Sequence, residues 1–260
     1  MKRSASTANL LVPMAFIALV LVIWEWLVRW REVPEYILPG PWQITRTLAD
    51  ISLLMAGHAR ATMMESLGGF ALAIFLALVI AFVMNEVPLV RQALYPIIIT
   101  SQTVPIVSVA PLFIIWFGYG VLPKIIVVVL VCFFPVVISL LNGLASVDPD
   151  YLQLFRSMQA GRWDTFRMVT FPLALPSFFA GLKISAAYSV MGAVIGEWLG
   201  AKEGLGYYMT LAQHSFQVDR VFAAIVVVTL FSMTLFTAVG IVERLVIPWM
   251  HQGDSPLDAK

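Results

Sequence analysis

The chain contains 260 residues, of which 60% are hydrophobic and 12% are charged, and its mean hydropathy is +0.90. Soluble domains average about 45–50% apolar and about 25% charged residues, so this composition excludes an ordinary soluble domain and a disordered chain. A net charge of +1 provides no basic field for nucleic acid, and the single cysteine, Cys132, excludes an intrachain disulfide. The composition predicts an all-α, polytopic membrane protein, and the length accommodates about six spans of roughly 20 residues.

Six apolar segments are predicted to cross the membrane. The first is predicted to be a retained helix, because no small-residue cleavage site follows it. The third is interrupted by Pro96, Pro105 and Pro111 and by a polar patch. Irregular backbone at membrane depth is tolerated only inside protein or beside a water-filled cavity, so this span is predicted to be broken. The six spans are 10–30, 64–84, 94–117, 122–144, 176–199 and 221–247.

The residues between the first two spans are predicted to lie at a membrane surface. Residues 33–41 contain three prolines, which disfavour a helix at and before each proline, and 42–61 is predicted to form one surface helix. The chain is accordingly divided into the first transmembrane helix with its outer-surface segment (1–61), a core transmembrane domain (62–247) and a cytoplasmic tail (248–260).

One long polar loop, 145–171, separates the fourth and fifth spans. Asp148 followed by Pro149 favours a helix start, because the aspartate can cap the helix and proline has no N–H to satisfy there. Apolar side chains then recur at helical spacing, which predicts a short amphipathic surface helix. Such a helix either packs on its own protein or docks into a groove of a soluble partner. A second helical stretch follows, and it is predicted to break before the next span at Pro172 and Pro176.

Residues 153–176 of this loop resemble the cytoplasmic loop of binding-protein-dependent ABC importer permeases. That family has Glu-Ala-Ala, three residues, Gly, nine residues and then Ile-x-Leu-Pro. In this chain residues 153–155 (Gln-Leu-Phe) occupy the positions of Glu-Ala-Ala, and Gln159 occupies the position of the glycine. The first half of the loop therefore departs from the family pattern. The second half keeps the pattern, with the Ile, Leu and Pro places held by Val169, Phe171 and Pro172.

Further segments extend the resemblance over nearly the whole chain. The sequences at 37–39, 102–105 and 115–118 are similar to the nitrate/sulfonate/taurine branch of these permeases. The glycine-rich sequence at 196–201, followed by that at 204–207, is similar to permeases for thiamine-precursor pyrimidines such as hydroxymethylpyrimidine, or for riboflavin. The resemblance favours a pyrimidine as the transported solute, with riboflavin, sulfonate, taurine and nitrate as alternatives.

The resemblance implies a type I ABC importer permease fold in the bacterial inner (plasma) membrane, with both termini and the 145–171 loop in the cytoplasm. The distribution of Lys and Arg does not fix this orientation by itself. The implied partners are ABC ATPase subunits, an extracytoplasmic substrate-binding protein and a second permease copy, most simply an identical one, within the lipid bilayer. The chain would be a transporter subunit and not an enzyme, and it would hold no cofactor, because ATP and Mg²⁺ would bind to the ATPase.

The sequence agrees that the ATP site lies elsewhere. A phosphate-binding loop requires G-x-x-x-x-G-K-[ST], and the glycines at 118–124 and 200–206 do not have this spacing. Both glycine clusters are predicted to form turns.

Ten loop residues are predicted to couple the chain to the ATPase. The apolar members would anchor the loop helix in a groove of the ATPase, and the arginines would make polar contacts. Closure of the ATPase on ATP would then tilt the attached spans and open the cavity outward. The predicted coupling residues are Tyr151, Leu152, Gln153, Phe155, Arg156, Met158, Gln159, Gly161, Arg162 and Trp163.

Six residues are predicted to line the substrate pathway. Polar side chains beside the broken third span suit a cavity lining. The fifth span adds an aromatic ring and a thioether on one helical face, which suit a planar heterocycle by stacking, although ordinary helix packing is the alternative. A carboxylate near the outer end of the same span would serve the pathway or a gate, or would instead form a packing or interfacial pair. These candidates are Ser101, Gln102, Thr103, Tyr188, Met191 and Glu197.

Other charged residues of the spans have structural interpretations. Glu25 is predicted to pair with Arg29, four residues later on the same helix. Glu65 is predicted to lie at the membrane interface, and Lys183 is predicted to extend its stem toward the cytoplasmic face.

Two other classes of protein are less consistent with the sequence. The three histidines have no metal-ligand spacing, and no nucleophile motif occurs, which disfavours an intramembrane enzyme. An ion-gradient-driven secondary transporter commonly has inverted repeats with paired broken helices, and only the third span of this chain is clearly broken.

Overall fold

A computed structural model describes residues 3–250, with side chains from residue 11 onward. Within this range the chain is helical and contains no strand, which confirms the all-α prediction. The helices are α1 (Arg3–Trp30), α2 (Pro41–Asp50), α3 (Ser52–Glu86), α4 (Pro88–Ser101), α5 (Ile106–Phe117), α6 (Val121–Ala145), α7 (Pro149–Ser157), α8 (Arg162–Thr165), α9 (Phe171–Trp198), α10 (Leu205–His214) and α11 (Val218–Val246).

The number of membrane-spanning elements agrees with the prediction of about six. Five described segments are long and apolar enough to cross a bilayer: α1, α3, α6, α8–α9 and α11. The sixth is the pair α4 and α5, which meet at an angle of 103°. Pro105 begins α5 in an extended conformation, and it cannot continue α4 because proline disfavours helix in the residue before it. The third span is therefore broken, as its prolines predict.

Two predicted helix boundaries are wrong. The segment 42–61 is not one surface helix, because the chain leaves helical geometry at Ile51 and α3 begins at Ser52. Pro172 and Pro176 do not interrupt the chain, because α8 continues through a π-helical turn, Phe166–Thr170, into α9. Pro172 lies in the first turn of α9, where its missing N–H costs little, and Pro176 is tolerated because neighbouring helices can satisfy the freed backbone groups.

A third difference concerns the glycine cluster at 200–206. Gly200 and Gly204 do form a turn, with φ of 132° and 113°. Gly206, however, lies in the first turn of α10, a ten-residue helix that the sequence interpretation missed. Glycine is about 1 kcal/mol less favourable than alanine in a helix. Helix propensity alone therefore does not predict a helix that begins Leu-Gly-Tyr.

The centre of the bundle is formed by α6 and α9, which pack against each other and against α3. Glycines allow this close approach: a Cβ on Gly181 would lie 2.6 Å from the carbonyl oxygen of Pro135, and one on Gly69 would lie 2.5 Å from the Val128 side chain. Small residues serve the same purpose at many membrane helix interfaces. No described side chain of α1 is buried, so α1 lies at the periphery.

The helices give the bundle two distinct ends. The end that carries α7 is called the loop end, and it also holds the α3–α4 corner and the last turn of α11. The opposite end, called the far end, carries α2 and α10. After α11, Pro248–Met250 forms a 3₁₀ turn, and residues 251–260 of the predicted tail lie outside the described residues.

Candidate functional site

The first candidate site is the surface of α7 at the loop end. Asp148 caps this helix, since its Oδ1 accepts a hydrogen bond of 2.9 Å from the backbone N–H of Asp150. Pro149 occupies the first turn, as predicted. No residue of α7 is buried. A helix of nine residues that fully buries none of its side chains gains limited stability from packing on its own chain.

The apolar residues of α7 form two rows. Tyr151, Leu154 and Met158 point outward and are 53%, 56% and 68% exposed. Leu152 and Phe155 are half-buried, and Leu152 lines the cavity between α7 and the α3–α4 corner. Leu154 was not among the predicted coupling residues, although its spacing from Tyr151 and Met158 (i, i+3, i+7) places it on the same face. The structure thus divides the predicted anchors into an outward row and an inward row.

The remaining predicted coupling residues lie on this helix or shortly after it in the chain. Trp163, in α8, is 60% exposed and its ring stacks on that of Phe166, with centroids 5.8 Å apart. Gln153 and Gly161 are exposed at the surface. Behind α7 lies a cavity of about 510 Å³, lined by Asn85, Glu86, Pro88, Leu152, Arg156, Ala160, Arg162, Thr165, Phe166 and Thr170.

Gln159 ends α7 in a left-handed conformation, with φ of 57°. The backbone N–H of Gln159 bonds to the carbonyl of Arg156, and that of Ala160 bonds to the carbonyl of Phe155, each at 3.0 Å. These two bonds form the Schellman motif, in which the left-handed position is usually glycine. Glycine would therefore adopt this position without steric cost.

Gln159→Gly is therefore expected to stabilise the protein by about 1 kcal/mol, because glycine adopts φ above zero without steric cost. The apparent Tm in detergent should rise by roughly 2–4 °C. Gln153→Gly provides the matched control: in the exposed middle of α7 the same replacement should lower stability by about 1 kcal/mol. A lower Tm for Gln159→Gly would contradict the assignment.

The second candidate site is a cavity of about 440 Å³ beside the break between α4 and α5. It brings together four predicted pathway residues from two distant parts of the sequence: Ser101 and Gln102 from the end of α4, and Tyr188 and Met191 from α9. This cavity is called the pathway cavity below. Its wall is completed by Val104, Pro105, Ile106, Val107, Val131, Phe134, Pro135 and Ile195.

The other two predicted pathway residues do not line the pathway cavity. Thr103 is exposed, and its hydroxyl donates a hydrogen bond of 2.7 Å to the carbonyl of Thr100. Glu197 is 1% exposed and lies inside the far end of the bundle.

Glu197 holds the beginning of α10. Its two carboxylate oxygens accept hydrogen bonds from the Thr62 hydroxyl at 2.7 Å and from the backbone N–H of Gly206 at 2.5 Å. The N–H of Leu205 donates to the Thr62 hydroxyl at 2.8 Å, and that of Gly204 donates to His58 Nδ1 at 3.2 Å. Three side chains from α3 and α9 therefore satisfy the N–H groups that a helix start leaves unpaired. This set is called the α10 cap.

A buried ion pair adjoins the α10 cap. Glu65 of α3 forms a salt bridge with Lys124 of α6, and both side chains are buried. Glu65, predicted to be an interfacial charge without a special role, is thus paired inside the protein, and α3 extends beyond it to Ser52. Among the described residues, no group of three or more His, Cys, Asp or Glu side chains could hold a metal ion.

The two other charged residues considered from sequence also have partners. Glu25 pairs with Arg29 at 2.6 Å, as predicted, and it also accepts a bond of 3.0 Å from the backbone N–H of Trp42, which ties α1 to α2. Lys183 pairs with Glu243 of α11, so its stem does not have to extend to the membrane surface to find a countercharge.

Residues 69–252 match the family model described as the binding-protein-dependent transport system inner membrane component. The chain belongs to this family of ABC transport permeases, which confirms the family resemblance. It is 38% identical over 250 residues to the formylaminopyrimidine transport permease protein ThiX of Halalkalibacterium halodurans, covering 96% of this chain and 98% of that protein. It is 35% identical over 238 residues to the riboflavin transport system permease protein RibX of Chloroflexus aurantiacus, covering 89% and 87%.

More distant relatives show the same family and fold. The chain is 29% identical over 252 residues to the putative aliphatic sulfonates transport permease protein SsuC of Bacillus subtilis, covering 96% of this chain and 90% of that protein. A crystal structure of an amino acid ABC transporter superposes with a TM-score of 0.63 at 14% identity, covering 76% of this chain and 96% of that one. The MetNI methionine ABC transporter gives a TM-score of 0.55 at 17% identity, covering 80% and 98%. These likenesses show the fold of an ABC transporter permease.

Proposed function

We propose that the chain is the membrane subunit of an ATP-driven importer for an aminopyrimidine thiamine precursor such as hydroxymethylpyrimidine. The observation that carries this proposal is the 38% identity, over 96% of the chain, to a permease named for formylaminopyrimidine. Riboflavin is the second candidate, on 35% identity to a riboflavin permease. Sulfonate is less favoured, because sulfonates are anions that proteins pair with cationic side chains, and the pathway cavity is lined by none of the described Lys or Arg residues.

The loop end faces the cytoplasm in this proposal, so both termini lie on the cytoplasmic side of the bacterial inner membrane. An ABC ATPase docks on α7, where the outward row of Tyr151, Leu154 and Met158 would fill an apolar groove. Support for this partner comes from the exposure of the row, because apolar side chains clustered on a polar surface commonly mark an interaction site. ATP and Mg²⁺ bind to the ATPase.

A second permease copy, most simply an identical one, faces the pathway cavity. Ile184, Tyr188 and Met191 lie on one side of α9 and remain 44–46% exposed in the single chain. A second copy placed against this side would enclose the cavity between two chains. Alternating access then follows if ATP binding brings the ATPases together, moves the two copies of α7 and opens the cavity toward a loaded extracytoplasmic binding protein.

Uptake into vesicles tests the proposal. Labelled hydroxymethylpyrimidine should accumulate only when the permease, its ATPase, the binding protein and ATP are all present. A protonophore should have no effect on this uptake. Uptake by this chain alone would contradict the proposal and favour a secondary transporter. Accumulation of riboflavin with no accumulation of hydroxymethylpyrimidine would move the assignment to the second candidate.

A further inference from the structure

We propose that the carboxamide of Gln102 selects amino-substituted pyrimidines by pairing with their amino group and the adjacent ring nitrogen. The inference rests on the proposed function, and it assigns to the permease itself a part of the substrate selection. It starts from the pathway cavity, where Gln102 lies at the end of α4 and Tyr188 and Met191 face it from α9.

The polar groups near the α4–α5 break differ in whether they are already engaged. The hydroxyl of Ser101 donates to the carbonyl of Ile98 at 2.9 Å, and that of Thr103 donates to the carbonyl of Thr100 at 2.7 Å. The carboxamide of Gln102 makes no side-chain hydrogen bond to another described residue, and Gln102 is exposed on the cavity wall. It is therefore the side-chain amide that the fold leaves available to a solute.

A carboxamide carries a donor and an acceptor side by side. An aminopyrimidine presents the matching pair, because its exocyclic amino group donates and the neighbouring ring nitrogen accepts. The same geometry lets Asn and Gln bind the amino edge of adenine with two hydrogen bonds.

The rest of the cavity suits an uncharged planar ring. The ring of Tyr188 and the thioether of Met191 provide a stacking surface, and Phe134 and Pro135 add apolar wall. No described residue that lines the cavity is acidic or basic, and an ionised solute would lose hydration there without gaining a countercharge. Stacking on the ring would fix the plane of the solute, and the Gln102 carboxamide would form hydrogen bonds with the edge of the pyrimidine ring.

The test uses the permease–ATPase complex in nanodiscs without the binding protein, so that only the permease can select. Saturation-transfer NMR compares hydroxymethylpyrimidine with the analogue in which the amino group is replaced by hydrogen. The wild-type complex should bind the amino compound about tenfold more tightly. Gln102→Leu should abolish this preference, and so should Gln102→Glu, which keeps the shape and an acceptor but lacks the donor. Gln213→Leu, an exposed glutamine of α10, is the matched control and should behave as wild type.

Vesicle uptake with the complete system distinguishes failure of the role of Gln102 from failure of the proposed substrate. Wild-type uptake of hydroxymethylpyrimidine with about tenfold lower uptake by Gln102→Leu supports the inference. Equal uptake and an unchanged amino preference in Gln102→Leu would overturn the role of Gln102 and leave the proposed importer intact. Absence of hydroxymethylpyrimidine uptake by the wild type, with uptake of another solute, would overturn the proposed substrate itself.

Discussion

Leu154→Asp is expected to detach the ATPase and to reduce ATP-dependent uptake at least tenfold, while the chain still inserts in the membrane. Leu154 lies at the centre of the outward row of α7 and is 56% exposed, so the replacement removes little packing within the chain. In a docked complex the aspartate would be buried in an apolar groove without a countercharge, which is among the costliest changes at an interface.

The measurement is co-purification of the ATPase with tagged permease, together with uptake in vesicles. Leu53→Asp is the matched control, because Leu53 is 89% exposed but lies in the first turn of α3 at the far end, where the ATPase would not reach. Phe155→Asp is a weaker test, since Phe155 is half-buried and its replacement would also disturb the bundle. If Leu154→Asp retains the ATPase and transports normally, the docking surface is assigned wrongly.

The size of the expected effect follows from what coupling requires. Shifting two access states from 1:99 to 99:1 takes about 5.5 kcal/mol of differential binding by ATP and its ATPase. In the proposed complex that free energy would reach the spans through the contact between the two proteins. A contact weakened by several kcal/mol therefore loses both affinity and the capacity to bias the two states.

Glu197→Ala is expected to destabilise the fold by about 3 kcal/mol, because it leaves the Gly206 N–H buried without its acceptor and leaves the Thr62 hydroxyl only the longer bond of 3.3 Å to the carbonyl of His58. Gly204→Ala should destabilise the fold by a comparable amount, because Gly204 packs against the carboxylate of Glu197. Gly204 has φ of 113°, and a Cβ there would lie 2.2 Å from the Glu197 carboxyl carbon. Neither the backbone nor the carboxylate can move without breaking the α10 cap.

The apparent Tm in detergent measures this loss, which should amount to roughly 6–12 °C for Glu197→Ala. Glu197→Gln should lose less, because its amide oxygen still accepts one of the two hydrogen bonds. Glu203→Gln is the control: Glu203 is exposed in the same turn and its replacement should leave the Tm unchanged. A wild-type Tm for Glu197→Ala, with altered transport, would instead favour a direct role for this carboxylate in the pathway.

The parts of this structure that sequence could predict are those set by local chemistry. Long apolar runs define the spans, Asp148 and Pro149 define the start of α7, and Pro105 defines the break in the third span, whereas Pro96 and Pro111 lie inside α4 and α5. Each of these features acts over a few neighbouring residues, so the pattern is visible without knowing the fold.

The parts that sequence could not predict depend on contacts between distant residues. Glu65 and Lys124 are 59 positions apart, and hydropathy alone places both at span ends. The role of Glu197 depends on Thr62, which lies 135 positions earlier. The outward position of Leu154 depends on which face of α7 meets the bundle, and the helical period of α7 leaves that choice open. Side-chain partners of this kind are decided by packing.

The length of α3 gives the bundle a direct mechanical connection. This helix has no internal proline, and it extends from the α10 cap, through Thr62, to the wall of the loop-end cavity, through Glu86. At 1.5 Å per residue the two contacts lie about 36 Å apart on one rod. A tilt of about 5° about one contact therefore displaces the other by about 3 Å, roughly the length of a hydrogen bond. If α3 moves as one rigid helix, a small rotation at the loop end would displace the hydrogen bonds of the α10 cap at the far end.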